Sequence, residues 1–198
     1  CKPRSAGTVT RYMAALSHAF TIAIKEWQWI DDTPMRKVQK PKEPRGRVRF
    51  LSDGEREDLL KACKNNKESF LYPIVVIALS TGARKSEILN LTWADVDLQR
   101  KVAVLQQTKN DERRALPLAG EALECVKRLA GMRRIDTRLL FPDTSGKKPI
   151  LIRAPWQKAL KEAGIEDFRF HDLRHSAASY LAMSGASLAE IAEVLGHK

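Results

Sequence analysis

Residues 70–79 (Phe-Leu-Tyr-Pro-Ile-Val-Val-Ile-Ala-Leu) form the longest apolar run in the chain and constrain its fold more than any other feature. A bilayer-crossing helix needs about 20 apolar residues, so this run is far too short to span a membrane. A helix over residues 69–80 is apolar nearly all round. It must therefore be covered on every side, as the buried centre of a globular domain would be. Pro73 is tolerable only in its first turn, where no helical N–H is lost, and Thr81-Gly82 ends it. With 43% hydrophobic residues and 30% charged residues in 198, the chain has enough apolar material to cover such a helix, and disorder is not expected.

Helical signals surround this centre. Ser52 and Glu55 form an S-x-x-E capping box ahead of a helix carrying Leu59, Leu60 and Cys63. A short helix is expected over residues 85–90. Residues 94–98, 102–106 and 113–118 alternate in polarity and predict a small antiparallel sheet, with Lys109, Asn110 and Asp111 at the tip of the second hairpin. Helical spacing returns in Leu123, Val126, Leu129 and Met132, and again over residues 151–163 before Gly164 as a C-cap. Two last helices are expected, one from near His171 to Met183 and one opened by the Ser187/Glu190 capping box and closed by Gly196. The fold class is mainly α with a small antiparallel β-sheet (α+β).

Upstream, Val9, Tyr12, Met13, Leu16, Phe20, Ala23, Ile24 and Trp27 draw the stripe of an amphipathic helix. Residues 1–40 are read as the C-terminal fragment of a helical domain, residues 41–49 as a basic linker, and residues 50–198 as a second domain. Between Pro34 and Arg49 stand three prolines and seven cations, Arg36, Lys37, Lys40, Lys42, Arg45, Arg47 and Arg49. They could track phosphates or simply be solvated.

The charge balance, 35 Lys+Arg against 24 Asp+Glu for a net +11, favours a polyanionic partner, nucleic acid or an anionic membrane surface. The start has no signal-peptide hydrophobic core. Cys1, Cys63 and Cys125 are odd in number and scattered, which argues against a disulfide framework or a cysteine zinc site and favours a reducing, intracellular compartment.

Three segments carry reactive side chains. In Thr81-Gly82-Ala83-Arg84-Lys85-Ser86-Glu87, Arg84 follows the buried helix, and a half-buried guanidinium needs an anion or carboxylate; Glu87, three residues on, could hold it as an ordinary helix pair would. In His171-Asp172-Leu173-Arg174-His175, His171 and Arg174 can converge on one point. His171 and His175 at i, i+4 could alternatively ligate zinc. In Leu195-Gly196-His197, His197 is either a helix C-cap or a catalytic group. The last helix also looks like the opening of a helix-turn-helix.

Together, in order and spacing, these segments resemble the tyrosine recombinases, particularly phage-type integrases. That family pairs T-G-x-R-x-x-E-x-L, a hairpin lysine, H-x-L-R-H and L-G-H. The resemblance implies a catalytic domain of that type preceded by the end of a core-binding domain, with Arg84, Lys109, His171, Arg174 and His197 as catalytic residues and Glu87 in support. It implies site-specific DNA recombination through a 3′-phosphotyrosyl intermediate, with no cofactor.

The chemistry is consistent with this. Metal-independent displacement at a phosphodiester needs cations on the phosphoryl oxygens, for which Arg84 and Arg174 serve. Lys109 would protonate the departing 5′ oxygen, His171 would accept the nucleophile's proton, and His197 would hydrogen-bond a phosphoryl oxygen. The nucleophilic tyrosine is expected beyond L-G-H and so absent from this chain, with Tyr12, Tyr72 and Tyr180 assigned to packing. The chain should then bind DNA without cleaving it. Expected partners are double-stranded DNA attachment sites in the cytoplasm of a bacterial host, at the nucleoid. The complete protein would be a homotetramer on DNA and this chain a monomer, with no membrane partner. A non-catalytic DNA-binding regulator is the alternative.

Overall fold

The computed structural model describes residues 3–44, 49–105 and 114–196. The chain divides into two compact units, Cys1–Arg47 and Val48–Lys198. The first is built on α1 (Ala6–Lys25), whose N-cap Ser5 accepts a hydrogen bond from the Thr8 N–H. The stripe read from the sequence is present, but Ala23 is its one buried member within the helix, while Tyr12 and Leu16 are exposed. The helix stops before Trp27, which stacks with Trp29 at 4.4 Å between ring centroids. Ahead of the expected linker, Pro34–Lys37 form a turn of 3₁₀ helix capped by Thr33.

In the second unit the Ser52/Glu55 capping box opens α2 (Asp53–Lys64) with both reciprocal hydrogen bonds made. The apolar run becomes α3 (Leu71–Thr81), which contacts α2, α4 (Lys85–Leu89), α5 (Gly120–Gly131) and α7 (Asp172–Met183). Leu71, Ile74, Val75 and Ile77 are fully buried. α3 closes on Gly82, in the left-handed region at φ 61°.

The sheet is smaller than the alternating runs predict. β1 is only Val96–Asp97, because the Asp95 carboxylate accepts from both the Thr92 N–H and its hydroxyl and folds Trp93–Asp95 into a 3₁₀ turn. β2 (Val102–Leu105) pairs antiparallel with β1 and with β3 (Arg114–Pro117), in the order β1-β2-β3. The expected hairpin tip at Lys109 lies outside the described residues.

One apolar residue leaves the face its spacing assigned, and one helix starts later than expected. α5 ends at Gly131, so Met132 falls past it and is exposed. α6 (Arg153–Glu162) begins after Leu151, which is exposed as well. α8 (Leu188–Leu195) opens on the Ser187/Glu190 box and ends at left-handed Gly196. Cys63 and Cys125 are buried free thiols.

The entry to this unit is pinned to α7. The Leu51 N–H donates to the Ser176 hydroxyl at 3.0 Å, and the Tyr180 hydroxyl donates to the Leu51 carbonyl at 3.0 Å. Both polar groups of one buried peptide residue are thus satisfied by one face of α7.

Candidate active site

Arg84 is placed by the end of α3. Gly82 turns the chain, the Ala83 N–H is held by the Thr81 hydroxyl at 3.2 Å, and Arg84 becomes the N-cap of α4. From there its N–H donates to Glu87 Oε2 at 2.7 Å and its Nη1 to Glu87 Oε1 at 2.6 Å. The Arg84 side chain is about one-third exposed, whereas Glu87 is 9% exposed. Glu87 therefore acts as a buried brace on one nitrogen of the partly exposed Arg84 guanidinium. Burial alone would raise the Glu87 pKa. Hydrogen bonds from the Arg84 backbone and side chain, then the charge of Arg114, overcome burial and hold it below the ordinary carboxylate value.

Arg174, one turn into α7, is 5% exposed. Its Nη1 donates to the Gly82 carbonyl at 2.7 Å and its Nη2 to the Leu195 carbonyl at 2.6 Å. One guanidinium thereby joins the turn after α3 to the last residue of α8, where the helix dipole presents its negative end. Burial, then the charges of Arg84 and Arg114, push its pKa down to about 10, so it remains a cation at neutral pH. His171 is the N-cap residue of α7, and its ring meets that of His175 edge to face at 5.5 Å. Although the residue is exposed overall, partial desolvation first, then the charges of His175 and Arg174, outweigh Asp172 and lower its pKa from 6.5, which favours the neutral ring. Among the described residues no group of three or more His, Cys, Asp or Glu is placed to hold a metal ion, so the His171/His175 pair has no third ligand there.

Sequence reasoning missed Arg114. At the start of β3 its Nη2 donates to Glu87 Oε2 at 3.0 Å and its Nη1 to the Leu195 carbonyl. Its register carried a signal: Arg114 alternates with buried Leu116 and Leu118, the inward face of the strand, where a cation must find a carboxylate. Lys109 and His197 lie outside the described residues, as do Arg45 and Arg47 of the basic linker. Arg36 forms an exposed pair with Asp32 at 3.2 Å. Lys37, Lys40 and Lys42 are exposed in the first unit. Arg49 donates to Glu55 at 3.0 Å and lies 5.4 Å over the Phe168 ring, and the Glu55 carboxyl is held down to about 2, with that hydrogen bond the largest cause.

Arg84, Arg114, Arg174 and Glu87 thus form one interlocked group with His171 electrostatically in reach. The sequence model of the Phage integrase family matches residues 49–198. The chain belongs to that family.

Among its integrase and tyrosine-recombinase relatives, the integrase of Salmonella phage P22 is 34% identical over 98% of this chain and 52% of that protein. The shufflon-specific DNA recombinase of Escherichia coli is 35% identical over 100% of this chain and 50% of that protein. The chain therefore spans about half the length of these curated relatives. The Tn1549 transposon integrase, solved in complex with circular intermediate DNA, superposes with a TM-score of 0.82 at 20% identity, covering 98% of this chain and 72% of that one. It shares the fold: the mainly helical catalytic unit with a small antiparallel sheet is that of a tyrosine recombinase. Among the described residues no helix is long and apolar enough to cross a membrane.

Proposed function

We propose that this integrase-family chain supplies the phosphodiester pocket for site-specific DNA strand cleavage and rejoining. The carrying observation is that Arg84 and Arg114 share the Glu87 carboxylate and Arg174 lies near enough to feel all three charges, giving the four side chains a formal charge of +2. A phosphodiester under attack by an oxyanion gathers two negative charges, which that surplus balances. Each guanidinium has five N–H donors. Arg84 spends one of them on Glu87 and Arg174 two on carbonyls, so both keep donors for the phosphoryl oxygens.

His171, neutral at pH 7, accepts the proton of an attacking tyrosine hydroxyl as the O–P bond forms. Lys109 protonates the departing 5′ oxygen as the P–O5′ bond breaks, and His197 donates to a phosphoryl oxygen. Rejoining runs these transfers in reverse. The bond energy stays in the 3′-phosphotyrosyl linkage, so no cofactor is needed.

The tyrosines of the second unit have other work. Tyr72 donates to Glu121 at 3.3 Å and Tyr180 to the Leu51 carbonyl at 3.0 Å. In this reading none of Tyr12, Tyr72 and Tyr180 is the nucleophile, and the 198 residues by themselves bind duplex DNA without cutting it. The complete protein acts on double-stranded attachment sites in the cytoplasm of a bacterial host, assembling as a homotetramer on the DNA, whereas this chain alone is a monomer. The linker cations Arg36, Lys37, Lys40, Lys42, Arg45, Arg47 and Arg49 contribute phosphate contacts and a steep loss of affinity with salt.

The test is capture of a covalent adduct on a nicked duplex. The complete protein should form the adduct, and Arg84→Ala should abolish it while keeping most duplex binding. The 198-residue chain should bind and form none. A complete protein that binds the duplex but forms no adduct under any condition would instead be a DNA-binding regulator.

A further inference from the structure

We infer that Arg114 is a positioning residue for the Arg84–Arg174 pocket, holding Glu87 and the C-terminal end of α8 at a fixed separation so that the guanidinium of Arg84 faces the phosphate. The inference rests on the phosphodiester reading above. The bonds Arg114 makes are to the frame of the pocket: its side chain is 10% exposed, Nη2 donates to Glu87 and Nη1 to the Leu195 carbonyl. Its Nε is buried with no partner among the described residues, so the side chain is held by its two ends alone.

Three features make this a built device. The Glu87 carboxylate is saturated from two sides. Oε1 takes Arg84 Nη1, while Oε2 takes both the Arg84 N–H and Arg114 Nη2. Without Arg114 the whole negative charge of Glu87 would fall to Arg84, drawing that guanidinium inward and leaving the group at +1. The Leu195 carbonyl is likewise shared between Arg114 and Arg174, so the same span sets where the other arginine is anchored. Finally, the approach of Arg114 depends on Gly196, where a Cβ would stand 2.5 Å from Nη1 and where φ is 67°. The left-handed C-cap that favours glycine here also leaves room for the Arg114 guanidinium.

A double-mutant cycle on the complete protein tests the assignment, with single-turnover adduct formation and duplex affinity measured separately. Arg114→Met should slow adduct formation ten-fold or more while the Kd for duplex changes less than three-fold. In a Glu87→Gln background the same substitution should slow it less than three-fold, because the brace is already lost. Equal slowing in both backgrounds, or an Arg114→Met protein that cleaves at the original rate, overturns the proposal. If Arg114→Met fails to fold, Arg114→Lys, which keeps the charge and can make only one of the two contacts, carries the same cycle. Failure of the pocket reading looks different: Arg84→Ala would then form adduct as well as the unsubstituted protein. A readout independent of activity is thermal stabilisation of the 198-residue chain by inorganic sulfate. The shift should fall by at least half in Arg114→Met, and an undiminished shift counts against a positioning role.

Discussion

Arg114 and Arg174, from a strand and a helix far apart in sequence, donate to one acceptor, the carbonyl oxygen of Leu195. Two cations sharing a helix C-terminus repel each other, and the helix dipole and Glu87 offset that repulsion. The second unit is thus tied together where two of its arginines meet.

This arrangement makes the two framing arginines unequal. Replacing Arg174 with Ala strips the Gly82 carbonyl of its side-chain donor and the Leu195 carbonyl of one of two, at a cost of about 2–4 kcal/mol. Replacing Arg84 with Ala takes one donor from the buried Glu87 carboxylate, but the residue-84 N–H and Arg114 remain on it and a cation that repels Arg174 is removed, so the cost should be smaller, about 1–2 kcal/mol. Urea unfolding of the two variants should separate them in that order; equal midpoints would contradict it.

Gly82→Ala should destabilise the second unit by about 1–2 kcal/mol from the left-handed backbone alone. More is lost because the added Cβ would collide with Leu195 Cδ2. A Tm for Gly82→Ala at or above that of the unsubstituted chain would refute the contact.

Ser176→Ala leaves the Leu51 N–H buried without its acceptor and should cost about 1–3 kcal/mol, more than Tyr180→Phe at about 1 kcal/mol. Neither should change adduct formation by the complete protein once folded. Loss of the adduct in Tyr180→Phe would instead make Tyr180 a participant in the chemistry.

His171 should titrate below 6.5 in an NMR pH series. Because the native value is depressed, the folded state favours the neutral ring. The associated stability is fully present above 6.5 and is lost as pH falls through the lower native value. Strand cleavage should weaken over the same range as the base becomes protonated. A midpoint at or above 6.5 would show that burial and the neighbouring cations do not control this ring.

Local signals were legible in the sequence. The capping boxes at Ser52 and Ser187 opened helices where expected, since both partners lie within one turn. The apolar run became the central helix because nothing but burial accommodates it. Arg84, Glu87, His171 and Arg174 stand out in the sequence through their order and spacing; in the structure Arg84 and Glu87 are hydrogen-bonded and Arg174 lies near them, with His171 at the start of the same helix as Arg174. Arg114 was not, because its partners stand 27 and 81 residues away. Nor was the brevity of β1 foreseen, since a side chain at Asp95 competes there with strand pairing.

The contact between Gly82 and Leu195 also bears on descent. A side chain gained at 82 and a bulkier one at 195 would claim the same volume, so neither position can drift freely while the other stays. A chimera joining the first half of this unit to the α7–α8 half of a distant cousin would meet its incompatibility here, far from the seam. Lineages that exchange segments would have to inherit this pair together.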